Sequence, residues 1–210
     1  MKKEQLKLYA ITHDEWHQEM SLMEQVEEAL KGGATMIQYR DKNLTEQEME
    51  ETARELLQLC RRYQIPFLIN DHVELAKRID ADGVHIGQCD MSPRLAREIL
   101  GPDKIIGVTA KTTDQAMLAW KQGADYLGSG AVFGTSTKKD AKPMSRSLLQ
   151  EICKSVPIPV VAIGGIGKDN VSTLKGIDIA GVAVVSGIFA QEDIEAGTRE
   201  LFELVESILN

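Results

Sequence analysis

Cysteine, aromatic residues, positive charge and long apolar runs are all scarce in this chain. Its 210 residues hold three cysteines, Cys60, Cys89 and Cys153. They are far apart, odd in number and without CxxC or Cys/His metal spacing, which excludes a disulfide framework and predicts free thiols in a reducing compartment. Aromatic residues make up 5% of the chain, and the two tryptophans, Trp16 and Trp120, fall on predicted helices, where they are expected to pack against the rest of the fold. Lys plus Arg number 24 against 32 Asp plus Glu, a formal net charge of -8. That balance excludes nonspecific binding to nucleic acid or to an anionic membrane, so local basic clusters are read as small-molecule sites. No stretch approaches the roughly 18 apolar residues of a membrane span. The apolar run near the start is broken by His13 and Asp14, too early for a secretion signal. The expectation is a soluble, cytoplasmic protein that acts on small molecules; association with copies of itself stays open.

What is present is a regular alternation. Short β-rich runs at 6–12, 34–40, 66–70, 82–87, 104–109, 125–130, 159–164 and 180–186 are separated by amphipathic stretches. In the stretch from Thr45 to Tyr63, Met49, Ala53, Leu56, Leu57 and Cys60 recur at helical spacing, and Thr45 with Glu48 has the spacing of a capping box. Strict βα alternation implies a parallel sheet covered by helices. Eight units of about 26 residues predict a lean, single-domain α/β chain of the (β/α)8 TIM-barrel class, with an open doubly wound sheet as the runner-up.

Such barrels carry their reactive groups just after each strand, and these strand ends are polar. In "QYRDK" an extended backbone puts Gln38, Arg40 and Lys42 on one face and Tyr39 and Asp41 on the other. Asn70 and Asp71 follow the third strand and Asp90 follows the fourth. Adjacent strands lie about 4.8 Å apart, so the two carboxylates can approach and would repel unless a cation or proton lies between them. Oxygen-only donors beside Arg40 and Lys42 fit one Mg²⁺ shared with a polyphosphate better than zinc. Asp71 also stands where it could cap the next helix, whereas Ser92 before Pro93 already looks like the cap of the helix after Asp90. After strand six, "FGTSTKKD" offers Thr135, Ser136 and Thr137 as donors and Lys138 and Lys139 as charges. Strands seven and eight end in "GGIG" and "SG", where Gly165 and Gly187 let backbone amides approach a phosphate at a helix N-terminus. Two anion sites then face one another across one mouth, an arrangement suited to joining a pyrophosphate ester to a monophosphorylated molecule. His85 faces the barrel interior or the pocket, and a core histidine and a substrate contact both stay open. No Ser/His/Asp or Cys/His arrangement suggests a covalent nucleophile.

Taken in order, "GGATMIQYRDK", "PFLINDHVELA", "ADGVHIGQCD", "GADYLGSGAVFGTSTKKDA", "IPVVAIGGI" and "GVAVVSGIF" make the chain resemble the thiamine-phosphate synthase family along nearly its whole length. The resemblance implies an alkyl transferase that condenses 4-amino-2-methyl-5-(diphosphooxymethyl)pyrimidine with a thiazole phosphate, the pyrimidine ionising before the thiazole nitrogen captures it. By position, Gln38, Tyr39, Arg40, Asp41, Lys42 and Asn70 would hold the pyrimidine diphosphate, with Lys138 on the diphosphate and Thr109 reaching the pyrimidine. Arg40, Lys42, Lys138 and Thr109 would be the catalytic set and Asp71 and Asp90 the Mg²⁺ ligands. Thr135, Ser136, Thr137, Gly165, Val185 and Ser186 would line the thiazole phosphate site. The chain departs from the family pattern at Thr109, usually serine, at Lys111, usually histidine, and at Gly134, where proline is common. A thiazole tautomerase of the same fold, or a barrel that only binds thiamine precursors, are the rival expectations.

Overall fold

The computed structural model describes residues 1–13, 16, 19–41, 43–134 and 143–209. Eight strands form one closed parallel barrel: β1 Leu8–Ile11, β2 Met36–Tyr39, β3 Phe67–Asn70, β4 Gly83–Ile86, β5 Ile105–Thr109, β6 Tyr126–Gly130, β7 Val160–Ile163 and β8 Gly181–Val184. β1 pairs with β8 through Leu8↔Val182 and Ala10↔Val184, which rules out the open sheet. The strands are buried almost throughout because both faces are covered, and the run of apolar residues in each meets that need.

Alternation along each strand divides the core in two. Tyr9, Met36, Leu68, Tyr126, Val161 and Ala183 point into the barrel. Leu8, Ile37, Phe67, Val84, Leu127 and Val182 point outward to the helices. Those helices are α1 Leu22–Lys31, α2 Glu46–Tyr63, α3 Val73–Ile79, α4 Pro93–Leu100, α5 Thr113–Lys121, α6 Arg146–Ser155, α7 Ser186–Phe189 and α8 Ile194–Leu209. The expected face of α2 is the buried one, and its Thr45–Glu48 capping box forms in both directions. After β7 the chain makes a one-turn 3-10 helix, Val171–Leu174, in place of a full α-helix. Trp16 packs on the core outside any helix, and Trp120 lies on α5 but is 41% exposed, so the expected packing of the tryptophans fails for one and the expected helix for the other. Cys60 and Cys153 are buried free thiols, each pushed up to about 12 by burial, and Cys89 is an exposed one. No helix among the described residues is long and apolar enough to cross a membrane.

The end of the barrel away from the mouth is fastened by a recurring contact. A backbone amide at the start of an odd strand, the first in β1 and β3 and the second in β5, donates to the side chain that precedes the next even strand: Leu8 to Thr35 Oγ1 at 2.9 Å, Phe67 to Asp82 Oδ2 at 2.8 Å, Ile106 to Asp125 Oδ2 at 2.7 Å. At the fourth equivalent place Ala180 keeps the backbone bond to Val160 but has no side chain to accept. Leu6, from the 3-10 turn Lys3–Leu6, closes the floor from inside. Asp125 also receives Arg97, which in turn donates to the carbonyls of Gly101, Lys104 and Gly123. Asp125→Ala removes two donors' partner at once and is expected to cost about 2–3 kcal/mol in urea unfolding, with turnover unchanged because the mouth lies at the other end.

Candidate active site

At the C-terminal ends of the strands lies a cavity of about 190 Å³, and each wall is a strand end. β1 contributes Ile11, β2 Gln38 and Arg40, β3 Asn70 and Asp71, β4 His85, Gly87 and Asp90, and β5 Thr109 and Lys111. Gly130 and Ala131 follow from β6, Ile163 to Ile166 from β7 and Ala183 to Ser186 from β8. The residues are mostly those of the inward register, since strand alternation admits every second side chain.

The Arg40 backbone is held in both directions by the buried Thr12 hydroxyl, which accepts from Arg40 N at 3.0 Å and donates to Arg40 O at 3.3 Å. Thr12 is a support that nothing in the local sequence singles out. Two neighbours of Arg40 turn away from the cavity. Tyr39 is buried in the layer between barrel and helices, because it has the opposite parity to Gln38. Asp41 Oδ1 accepts from Asn43 N at 2.7 Å and Leu44 N at 3.0 Å, closing the turn after β2. Neither side chain is among those that line the cavity.

Asp71 takes φ 61, a left-handed conformation that Asp adopts more readily than most residues. It is not the cap of α3: His72 stands at that position and makes no side-chain cap bond. Instead the Asp71 carboxyl meets Asp90 and accepts from Asn70 Nδ2 at 2.6 Å. Asp90 Oδ2 accepts from Gly87 N at 2.7 Å, while Ser92 caps α4. Burial raises Asp71 above its ordinary carboxylate range, the Asp90 contact raises it further, and Asn70 offsets part of the rise. No Lys or Arg among the described residues forms an ion pair with either carboxyl.

On the opposite wall Gly165, at φ 66, lets β7 run close under Gly134: a Cβ there would lie 2.2 Å from Gly134 O. Phe133 N bonds to Gly164 O at 3.0 Å and Met144 N to Ala131 O at 2.6 Å, so the chain is at the mouth on both sides of residues 135–142. Lys42, Thr135, Ser136, Thr137, Lys138 and Lys139 lie outside the described residues. Val185 and Ser186 line the same wall, at the start of the single turn α7. Lys111, which had no role on sequence grounds, joins Arg40 as a second cation of the cavity.

Residues 8–188 match the family model described as thiamine monophosphate synthase. The chain belongs to this family. It is 46% identical over 196 residues to a thiamine-phosphate synthase of Clostridium botulinum, covering 93% of this chain and 92% of that one. With thiamine-phosphate synthase 2 of Streptococcus pneumoniae it shares 43% identity over the full length of both. A solved thiamine phosphate pyrophosphorylase of Pyrococcus furiosus superimposes with a TM-score of 0.91 at 44% identity, covering 99% of each chain. Membership makes the chain a transferase of thiamine biosynthesis that forms thiamine phosphate.

Relief of the carboxylate contact should be visible without substrate. In EDTA, Asp71→Asn is expected to raise the thermal midpoint in scanning calorimetry, by about 2–4 °C for each 1 kcal/mol of repulsion removed, even as it removes a candidate metal ligand.

Proposed function

We propose that the chain joins 4-amino-2-methyl-5-(diphosphooxymethyl)pyrimidine to a thiazole phosphate through a dissociative, Mg²⁺-assisted displacement of pyrophosphate. The observation that supports this most directly is the Asp71–Asp90 contact, which no Lys or Arg among the described residues pairs with, at a mouth that also carries Arg40. Two carboxylates fit one Mg²⁺ that takes its other ligands from water and diphosphate oxygens. Bound there, the ion would neutralise charge on the departing diphosphate.

The chain's own residues do the rest. Arg40 offers a planar set of donors to the diphosphate, with Lys42 and Lys138 assigned beside it from the sequence. Gln38, Asn70 and Thr109 take the pyrimidine. Gly165, Val185 and Ser186, with Thr135, Ser136 and Thr137 on sequence grounds, take the thiazole phosphate. Once the pyrimidine methylene carries positive charge, water competes with the thiazole nitrogen for it. Ile11, Ile163, Ile166 and Ala183 give the cavity an apolar wall that keeps water away. A tautomerase working on the thiazole alone would have no use for the paired carboxylates.

The test is pyrophosphate release by the purified protein. Release and thiamine phosphate formation in equal amounts are expected with both substrates and Mg²⁺, and loss of both in EDTA; release unaffected by EDTA would overturn the metal assignment. Asp90→Ala should lower kcat by about 10²–10³-fold while circular dichroism stays unchanged. Lys138→Ala should slow pyrimidine ionisation in single-turnover kinetics more than it weakens binding of the thiazole phosphate.

A further inference from the structure

Along the cavity floor and just beneath it, inward-facing side chains from five strands form one hydrogen-bond chain. Gln38 Nε2 donates to the Tyr9 hydroxyl, Tyr126 OH donates to the same oxygen at 2.9 Å, His85 Nδ1 lies 2.9 Å from Tyr126 OH, and His85 Nε2 lies 3.0 Å from Thr109 Oγ1. Tyr9 and Tyr126 are almost wholly buried, and burial pushes both phenols up, so both keep their protons. Room for this chain is made inside neighbouring strands. A Cβ at Gly107 would lie 2.1 Å from Tyr126 Cζ, and one at Gly128 would lie 3.0 Å from His85 Cε1. Glycine weakens a strand interior, and here two strands carry it where the rings pass.

Each link constrains the next. A phenol has one proton, and Tyr126 gives its proton to Tyr9. Toward His85 it can only accept, so His85 carries hydrogen on Nδ1. When the ring is neutral, its Nε2 carries no hydrogen and Thr109 must donate to it. With its proton committed, the Thr109 hydroxyl turns only lone pairs toward the cavity.

We propose that Tyr9, Tyr126 and His85 act as positioning residues that fix Thr109 as a hydrogen-bond acceptor, and so select an amino rather than an oxo substituent on the pyrimidine ring. This rests on the functional reading above. An amino N–H donated to Thr109 leaves more electron density on its nitrogen, which feeds the ring as the diphosphate departs. The oxygen of an oxo substituent at the same place meets a second set of lone pairs and is rejected.

Two measurements test it. In ¹⁵N-histidine NMR of the ligand-free protein near neutral pH, with His85 assigned through His85→Gln, the Nδ1–H tautomer is expected; a dominant Nε2–H form overturns the proposal. Binding is then compared for 4-amino- and 4-oxo-2-methyl-5-hydroxymethylpyrimidine monophosphate, neither of which can release pyrophosphate. The native chain should prefer the amino compound by about 10–100-fold. Tyr126→Phe should reduce that preference to a few-fold and lower kcat more than it raises KM. If Tyr126→Phe does not fold, Tyr9→Phe serves the same purpose, because it removes the acceptor of the Tyr126 proton. An unchanged preference in a folded variant sinks the proposal. Binding of neither pyrimidine would instead sink the functional reading, and the selectivity with it, whatever tautomer the NMR shows.

Discussion

Closure of β1 onto β8 is the constraint from which the rest of the molecule follows. Once the register Leu8↔Val182 is fixed, every strand must keep its parity around the ring, since a one-residue slip would send a full set of side chains to the opposite face. Parity then decides the chemistry. Gln38 reaches the interior and Tyr39 does not; His85 and Thr109 meet each other across adjacent strands. Nothing about the chemical character of Tyr39 excludes it from a substrate site. What keeps its side chain out of the cavity is its parity on β2, opposite to that of Gln38.

A chain of net charge -8 that receives phosphorylated substrates has to solve its electrostatics locally. Arg40 and Lys111 bring positive charge to the cavity wall, but Asp71 and Asp90 on the intervening strands oppose it. Without a cation, the carboxyl pair both repels itself and repels an incoming diphosphate. On the function proposed above, a divalent ion would change the sign of that corner and turn two unfavourable contacts into ligands. The same acidic balance that weakens nonspecific attraction to nucleic acid therefore leaves the attraction of anions to local cations such as Arg40 and Lys111.

The eight strands were legible in the sequence because each is a short apolar run buried on both faces, and the capping box of α2 because it is a contact between residues three apart. Local patterns of that kind survive in any tertiary setting. The polar strand ends were legible too, and the barrel brings Gln38, Arg40, Asn70, Asp71, Asp90, Thr109, Gly165, Val185 and Ser186 to one cavity. At Asp41 the sequence could not separate an Asx turn from a substrate contact, because both ask for the same residue type. The one-turn helix after β7 and the exposed Trp120 depend on how neighbouring elements pack, which periodicity does not report. Least legible was the chain from Gln38 through Tyr9, Tyr126 and His85 to Thr109. Its members are spread over five strands, and Tyr9 and Tyr126 stand 117 residues apart. Gly107 and Gly128 were its one trace in the sequence, as glycines inside β5 and β6 that no turn requires.

The two ends of the barrel carry opposite energetic roles. At the mouth, Asp71 sits at positive φ beside another carboxyl, and the interior below it gives up two side chains to make room for aromatic rings. Each feature costs stability in the free protein. At the far end, the Thr35, Asp82 and Asp125 clamps, the Arg97 cluster and the apolar floor around Leu6 contribute it without contacting the cavity. Strands only four or five residues long can sustain both because the clamps fall within their first two residues and the side chains that line the cavity lie toward their last. Changes at the mouth can then alter substrate choice while the register that aligns Thr109 with His85 stays fixed from below.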